Sequence, residues 1–197
     1  MKKILMIFML LFITTGCTVV RINTSSIDNI TNVILSKENK LYNRVGKGYK
    51  YYCPRGVAYI DTNELNDILY SNGNFYYLYI DAVGYFYKAE FDYKEKNNVY
   101  YSKKLDKGYL EITKFKGKYL IEFVYNYSRF EALVDENDIN KVILDASYML
   151  SSVKFNDKII ALMLDDEYFT NKEEQYNEFK TKVVNTDNFL KYDDEEN

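Results

Sequence analysis

The chain has 197 residues, with Lys+Arg 26 against Asp+Glu 29, no His, no Trp, one Pro and two Cys. Without His, neither Ser-His-Asp nor Cys-His catalysis is open to it, nor are His-ligated zinc or haem or an imidazole switch near neutral pH. Two Cys build neither a thiolate metal cage nor a disulfide framework, while 47% hydrophobic and 28% charged residues are enough for an ordinary globular core.

Lys2 and Lys3 open the chain, an unbroken apolar run fills residues 4–13, and Thr14-Thr15-Gly16-Cys17 follows. A basic start, an apolar middle and a small-residue end make a secretory leader. Its ten apolar residues fall short of the ~20 that a spanning helix needs. Thr15 and Gly16 directly before Cys17 resemble the lipobox of bacterial lipoproteins, with Thr14 standing where that family usually has an aliphatic residue. The resemblance is confined to the leader. It implies cleavage before Cys17 and a diacylglycerol thioether on Cys17, often joined by an N-acyl chain such as palmitate. Together these give the two hydrophobic signals that stable anchoring requires. The mature chain is then expected on the extracytoplasmic side of the cell membrane, with membrane lipid as its first partner.

Removal of residues 1–16 takes two Lys and moves the net charge from −3 to −5. Residues 165–197 hold eleven Asp/Glu against four Lys, so the body is nearly neutral and the tail acidic. The expected organisation is a signal peptide at 1–16, a short tether at 17–24, a single domain at 25–182 and a frayed acidic tail at 183–197.

Ile27, Ile30, Val33 and Ile34 recur at helical spacing after Ser25-Ser26 and predict a short amphipathic helix. Extended segments follow at 49–53 and 57–60, around a turn at Pro54-Arg55-Gly56. Asp61-Thr62-Asn63-Glu64 reads as a cap, Leu65, Ile68 and Leu69 as a helix of about ten residues, and Asn72-Gly73 as its stop. Residues 75–81 read as an aromatic strand covered on both faces, and a second is expected near 83–91.

Segments 99–103, 109–115 and 119–127 are joined by Asp106-Lys107-Gly108 and Lys116-Gly117-Lys118, which predicts an antiparallel meander. Tyr119, Ile121, Phe123, Tyr125 and Tyr127 share the more apolar face of the last strand, the face expected to meet a helix. Ile139, Val142, Ile143, Ala146, Leu150 and Val153 supply that helix, with Asp135, Glu136 and Asp138 at its positive end. A hairpin is expected over 153–164, turning at Asn156-Asp157, and a weaker helix at 171–182. The sum is an α+β fold, an antiparallel tyrosine-rich meander sheet covered by one or two helices. In its order of elements, from the strands after Tyr109 to the helix ending at Ser151-Ser152, it resembles lipoprotein domains that share the fold of an extrinsic photosystem subunit. That likeness carries no residues over.

Eighteen of the 22 Tyr lie between Tyr42 and Tyr127. They read either as sheet-filling residues or as a stacking platform, and their strand spacing favours the first. Residues 40–56 contain Lys40, Arg44, Lys47, Lys50 and Arg55 and no acid. Of these, Arg44, Lys47 and Lys50 are candidates for contact with an anionic headgroup or wall polymer, and a solvated basic loop is the alternative. An acidic, exported chain argues against nucleic acid as partner. Cys53 is either a small buried residue or the source of an intermolecular disulfide.

For hydrolysis without His, the carboxylates worth testing are Asp61 with Glu64, Asp135-Glu136-Asp138 and Asp165-Asp166-Glu167. The first two sets double as helix caps, and Asp135-Glu136-Asn137-Asp138 lacks the Gly and the final Glu of a calcium loop. Ser151 and Lys154 form a Ser-x-x-Lys without companion motifs. The sequence therefore implies no catalytic set, metal or cofactor. It points to a membrane-anchored binding or interaction module, with a carboxylate-dependent hydrolase on cell-wall glycan or a structural partner in an envelope complex as alternatives.

Overall fold

Helix α1 (Ile27–Leu35) starts at Ser26, whose Oγ accepts from the Asn29 N–H at 3.3 Å. A small hairpin of β1 (Arg44–Gly46) and β2 (Tyr49–Tyr51) follows. Two meanders come next: β3 (Ala58–Asn63), β4 (Asn66–Ser71) and β5 (Asn74–Ile80), then β6 (Tyr101–Leu105), β7 (Gly108–Phe115), β8 (Lys118–Tyr125) and β9 (Ser128–Val134). Helix α2 (Ala82–Phe86) lies between the meanders, while α3 (Ile139–Ser152), β10 (Lys154–Phe155) and α4 (Asp157–Asp165) follow them. This computed structural model describes residues 22–63 and 65–165. The leader, the helix expected at 171–182 and the acidic tail lie outside those residues.

The fold is α+β. All seven strands from β3 to β9 form one antiparallel sheet in the order β3-β4-β5-β9-β8-β7-β6, so the meanders join where β5 meets β9 with Leu78 opposite Phe130. The second sheet, β1-β2-β10, is also antiparallel. Alternation along the strands puts Leu110, Ile112, Ile121, Phe123, Phe130 and Leu78 on one face, all fully buried. Helix α3 covers that face with Val142, Ile143, Ala146 and Leu150, and α1 packs beside it. Lys103 and Tyr101 of β6 both bond Asp28 of α1, at 2.5 and 3.0 Å, which ties the helix layer to the sheet edge.

Three expected elements are replaced. The helix expected after Asp61 is the β3-β4 hairpin, and Asn72-Gly73, at φ 49° and 83°, turns β4 into β5 instead of ending a helix. Asp67, Leu69 and Ser71 are the buried set of β4, and its two polar members break the apolar alternation a sequence reading relies on. The strand expected near 83–91 is α2, opened by Asp81, whose carboxylate accepts from the Gly84 N–H at 2.7 Å. The hairpin expected over 153–164 keeps only β10. Asn156 accepts from the Ile159 N–H at 3.3 Å and starts α4, which buries Ile160 and Met163 one turn apart. Two strands were not expected at all: β1, within the basic segment, and β9, which follows a two-residue turn at Asn126-Tyr127, at φ 50° and 57°, that contains no Gly.

Gly108 opens β7 opposite Tyr125, where a Cβ would lie 2.6 Å from the Val124 carbonyl carbon and closer still to its oxygen. Gly117, at φ 81°, has nothing within 4 Å of a Cβ. Gly108→Ala is therefore expected to cost about 3 kcal/mol through overpacking against backbone, and Gly117→Ala about 1 kcal/mol through its positive φ alone. Urea unfolding of the two variants checks that order.

Candidate functional site

The β1-β2 hairpin carries the basic segment. Its register pairs Arg44 with Tyr51, Val45 with Lys50 and Gly46 with Tyr49, so Arg44 and Lys50 leave opposite faces. Arg44 sits 4.1 Å from the Tyr59 ring centroid, and Lys50 Nζ lies 3.9 Å from that of Tyr42. Lys47 occupies the turn with Gly48, which has φ 83°. Arg44 and Lys50 therefore do not converge on one anion. Gly46 serves packing, since a Cβ there would overlap the Tyr49 ring.

A cleft of about 660 Å³ opens where α1 ends, beside the turn at Pro54-Arg55 and along α3. Lys141, Leu144, Asp145 and Tyr148 line it at helical spacing, so one face of α3 forms its floor. Val33 and Ile34 of α1, with Leu41 and Ile22, add an apolar wall. Lys37 and Arg55 are exposed at its rim and make no salt bridge among the described residues.

Asp145 is buried, with its oxygens 2.5 and 2.6 Å from Lys141 Nζ and a 3.4 Å bond from the Tyr76 hydroxyl. Burial pushes its carboxyl above the usual Asp range and outweighs the opposing pull of Lys141 and Tyr76. Glu38, the other acid of the cleft, is exposed and paired with Lys154 at 2.9 Å and Lys40 at 3.7 Å. Both acids thus already have cationic partners. A second groove of about 440 Å³ brings Lys50, Lys154 and Lys158 beside Asp157 at the start of α4.

The carboxylates singled out in the sequence are dispersed. Asp61 accepts from the Thr62 N–H at 2.8 Å within a strand, and Glu64 lies outside the described residues. Glu136 and Asp138 sit on a 3-10 turn ahead of α3 and accept from Tyr100 (3.4 Å) and Asn74 (3.0 Å). The side chain of Asp165 and residues 166–167 are outside the described part. Ser151 donates to the Tyr148 carbonyl while Lys154 donates to Glu38, so the Ser-x-x-Lys pair is not a dyad. Cys53 is buried, its thiol 3.4 Å from the Val57 carbonyl, and burial pushes its pKa up. That fits the packing reading of Cys53. Among the described residues no three His, Cys, Asp or Glu side chains cluster to hold a metal.

Sequence reasoning missed a different set of acids. Glu111, Glu122 and Glu131 stand directly opposite one another across β7, β8 and β9, on the face turned away from α3. Arg129 bonds both Glu122 (3.0 Å) and Glu131, Tyr109 donates to Glu122, and Tyr93 and Lys96 reach Glu111 at 2.8 and 3.0 Å. Only the recurrence of single Glu residues in otherwise apolar strands hints at it in the sequence. It lines neither cleft, and cross-strand repulsion among its acids is offset by Arg129 and Lys96. No protein-family model, curated protein or solved structure matches the chain.

Two pH effects follow. Asp145 holds its proton to higher pH in the folded chain than in the unfolded one, so its contribution to stability is full below about pH 4 and fades as pH rises through the folded value. Asp145→Asn abolishes this titration. Its stability cost, measured by urea unfolding, is expected to be largest in acid and to shrink toward neutral pH.

Tyr51, Tyr76 and Tyr109 are held above the ordinary phenol range, first by burial and then by neighbouring carboxylates, and Tyr125 is pushed up to about 12 by burial and Asp106. Their contribution is complete below about pH 10, where unfolded phenols titrate, and is lost as pH climbs through the folded values. Alkaline titration should therefore show a late fraction of the tyrosinate absorbance that rises only together with loss of far-ultraviolet circular dichroism.

Proposed function

We propose that the protein is a lipid-anchored extracytoplasmic binding module, acylated at Cys17 and held on the outer side of the cell membrane, with the α1-α3 cleft as its binding site. The observation that carries this reading is the leader: Lys2-Lys3, ten apolar residues, then Cys17 directly after the small residues Thr15-Gly16. Among the described residues no helix is long and apolar enough to cross a membrane. In this reading the acyl chains make the attachment, each buried CH₂ contributing about 0.8 kcal/mol.

The cleft suits the anchored reading by position. Ile22 lines it and lies five residues beyond Cys17, a span of at most about 18 Å for an extended chain. A glycan hydrolase is less well supported, because both acids of the cleft, Glu38 and Asp145, are already ion-paired to Lys. Radiolabelled palmitate supplied to cells expressing the chain should label the wild type and not Cys17→Ala. Label in both, or in neither, overturns the anchor.

A further inference from the structure

We infer that the α1-α3 cleft binds an anionic glycerophospholipid of the leaflet that holds the anchor, its phosphate at Lys37 and Arg55 and its first methylenes against Leu144, Val33 and Leu41. The inference deepens the anchored reading and rests on it for where the bilayer lies. Three observations support it.

The first is charge. Of the five charged residues in the cleft, Asp145 is matched by Lys141 and Glu38 by Lys154 and Lys40. Lys37 and Arg55 remain without an acid among the described residues. The rim thus presents two exposed cations that complement a phosphodiester, and neither has to give up an existing ion pair to bind one.

The second is the wall. Val33, Ile34, Leu144 and Leu41 present hydrocarbon, and Leu41 is 63% exposed. A polyol-phosphate wall polymer leaves that surface without a partner, whereas the glycerol-proximal methylenes of a lipid cover it, at roughly 25 cal/mol per Å² of apolar area buried. A cleft of about 660 Å³ is also within the usual range of about 300–1,000 Å³ for small-ligand sites.

The third is the approach. Tyr42 follows Leu41 on the same loop, is 54% exposed, and carries Lys50 over its ring at 3.9 Å. A tyrosine with an aliphatic neighbour and a nearby Lys is the composition that settles at a headgroup boundary. Lys50 itself lines the second groove and not this cleft, and Arg44 leaves the other face of the hairpin, so neither is placed on the phosphate.

The test uses the mature chain, residues 17–197, with Cys17→Ala, so that no attached acyl group competes. Every described element lies between Ile27 and Asp165, within this chain, and circular dichroism checks its fold. Calorimetry would be run with soluble dihexanoyl phosphatidylglycerol, dihexanoyl phosphatidylcholine and glycerol 3-phosphate. Expected are saturable one-to-one binding of phosphatidylglycerol, at least about tenfold weaker binding of the other two, and weakening as salt rises.

Lys37→Ala with Arg55→Ala should cost phosphatidylglycerol affinity about tenfold or more at unchanged melting temperature, because both residues are exposed. Leu144→Gln should weaken the lipid and leave glycerol 3-phosphate unchanged, and Arg44→Ala should alter neither. The inference is overturned if the double variant binds like the parent, if glycerol 3-phosphate binds as tightly as the lipid, or if phosphatidylglycerol does not bind. Palmitate labelling of the wild type without lipid binding by this chain removes the cleft assignment and keeps the anchor. Lipid binding without labelling does the reverse.

Discussion

A carboxylate enclosed between protein layers accepts hydrogen bonds and donates none, so it survives burial only where donors reach it. This chain has no His, and tyrosine hydroxyls supply donors to the buried Asp67 and, alongside Lys141, to the buried Asp145. Tyr51 donates to Asp67 at 2.7 Å with Tyr49 on the other oxygen at 3.4 Å, which fastens the small sheet onto β4. Tyr76 reaches from β5 to the buried Asp145 of α3, and the same kind of bond ties Tyr101 of β6 to the exposed Asp28 of α1 and Tyr85 of α2 to the exposed Asp157 of α4. Each pair spans two elements, so the bonds hold layers in register where apolar packing alone is non-directional. A phenol suits the task because its ring fills the apolar face while its end supplies a neutral donor, avoiding the desolvation cost of a second buried ion.

The opposite face of the large sheet solves the same problem with a charge. Glu111, Glu122 and Glu131 in cross-strand register would repel one another, and Arg129 between two of them, with Tyr109 and Tyr93 as further donors, makes the arrangement tenable. Replacing one member of such a buried set leaves its partners poorly compensated, at a cost of about 3–5 kcal/mol. The row therefore reads as a structural network, and its position away from both clefts agrees with that.

The parts of the fold legible in the sequence were those where one local signal acts alone. Ile139, Val142, Ile143 and Ala146 form a helical stripe that nothing else explains, and Lys116-Gly117 marks a hairpin by its glycine. Expectation failed where a tertiary partner reverses the local reading. Asp67 and Ser71 interrupt an apolar strand pattern because one of them is bonded from β2, eighteen positions or fewer away in the chain and invisible to a short window. Asn126-Tyr127 turns without Gly because Asn126 donates to the Val153 carbonyl at 3.0 Å while Tyr127 packs on Tyr85 and Phe155, offsetting the strain of two positive φ angles. For the cleft, Arg55 and Tyr52 belong to the basic segment visible in the sequence, but Lys37, just past α1, and Leu144 and Asp145 of α3 are brought together only by the fold.

What this arrangement leaves unsatisfied bears on what it does. Catalysis by acids and bases needs a group whose proton is free to move toward a substrate, often one held in tension between environments. In the cleft, Asp145 has the perturbed environment but not the freedom, because Lys141 occupies both oxygens and Tyr76 adds a third bond. Glu38 is bound to lysines on two sides. The groups at the site without a described ionic partner are Lys37 and Arg55, next to an apolar wall. In the lipid-binding proposal, cations beside hydrocarbon, with the acids already ion-paired, are the groups that would retain an amphiphilic anion. In the anchored reading that places the binding surface within a short tether's reach of the membrane.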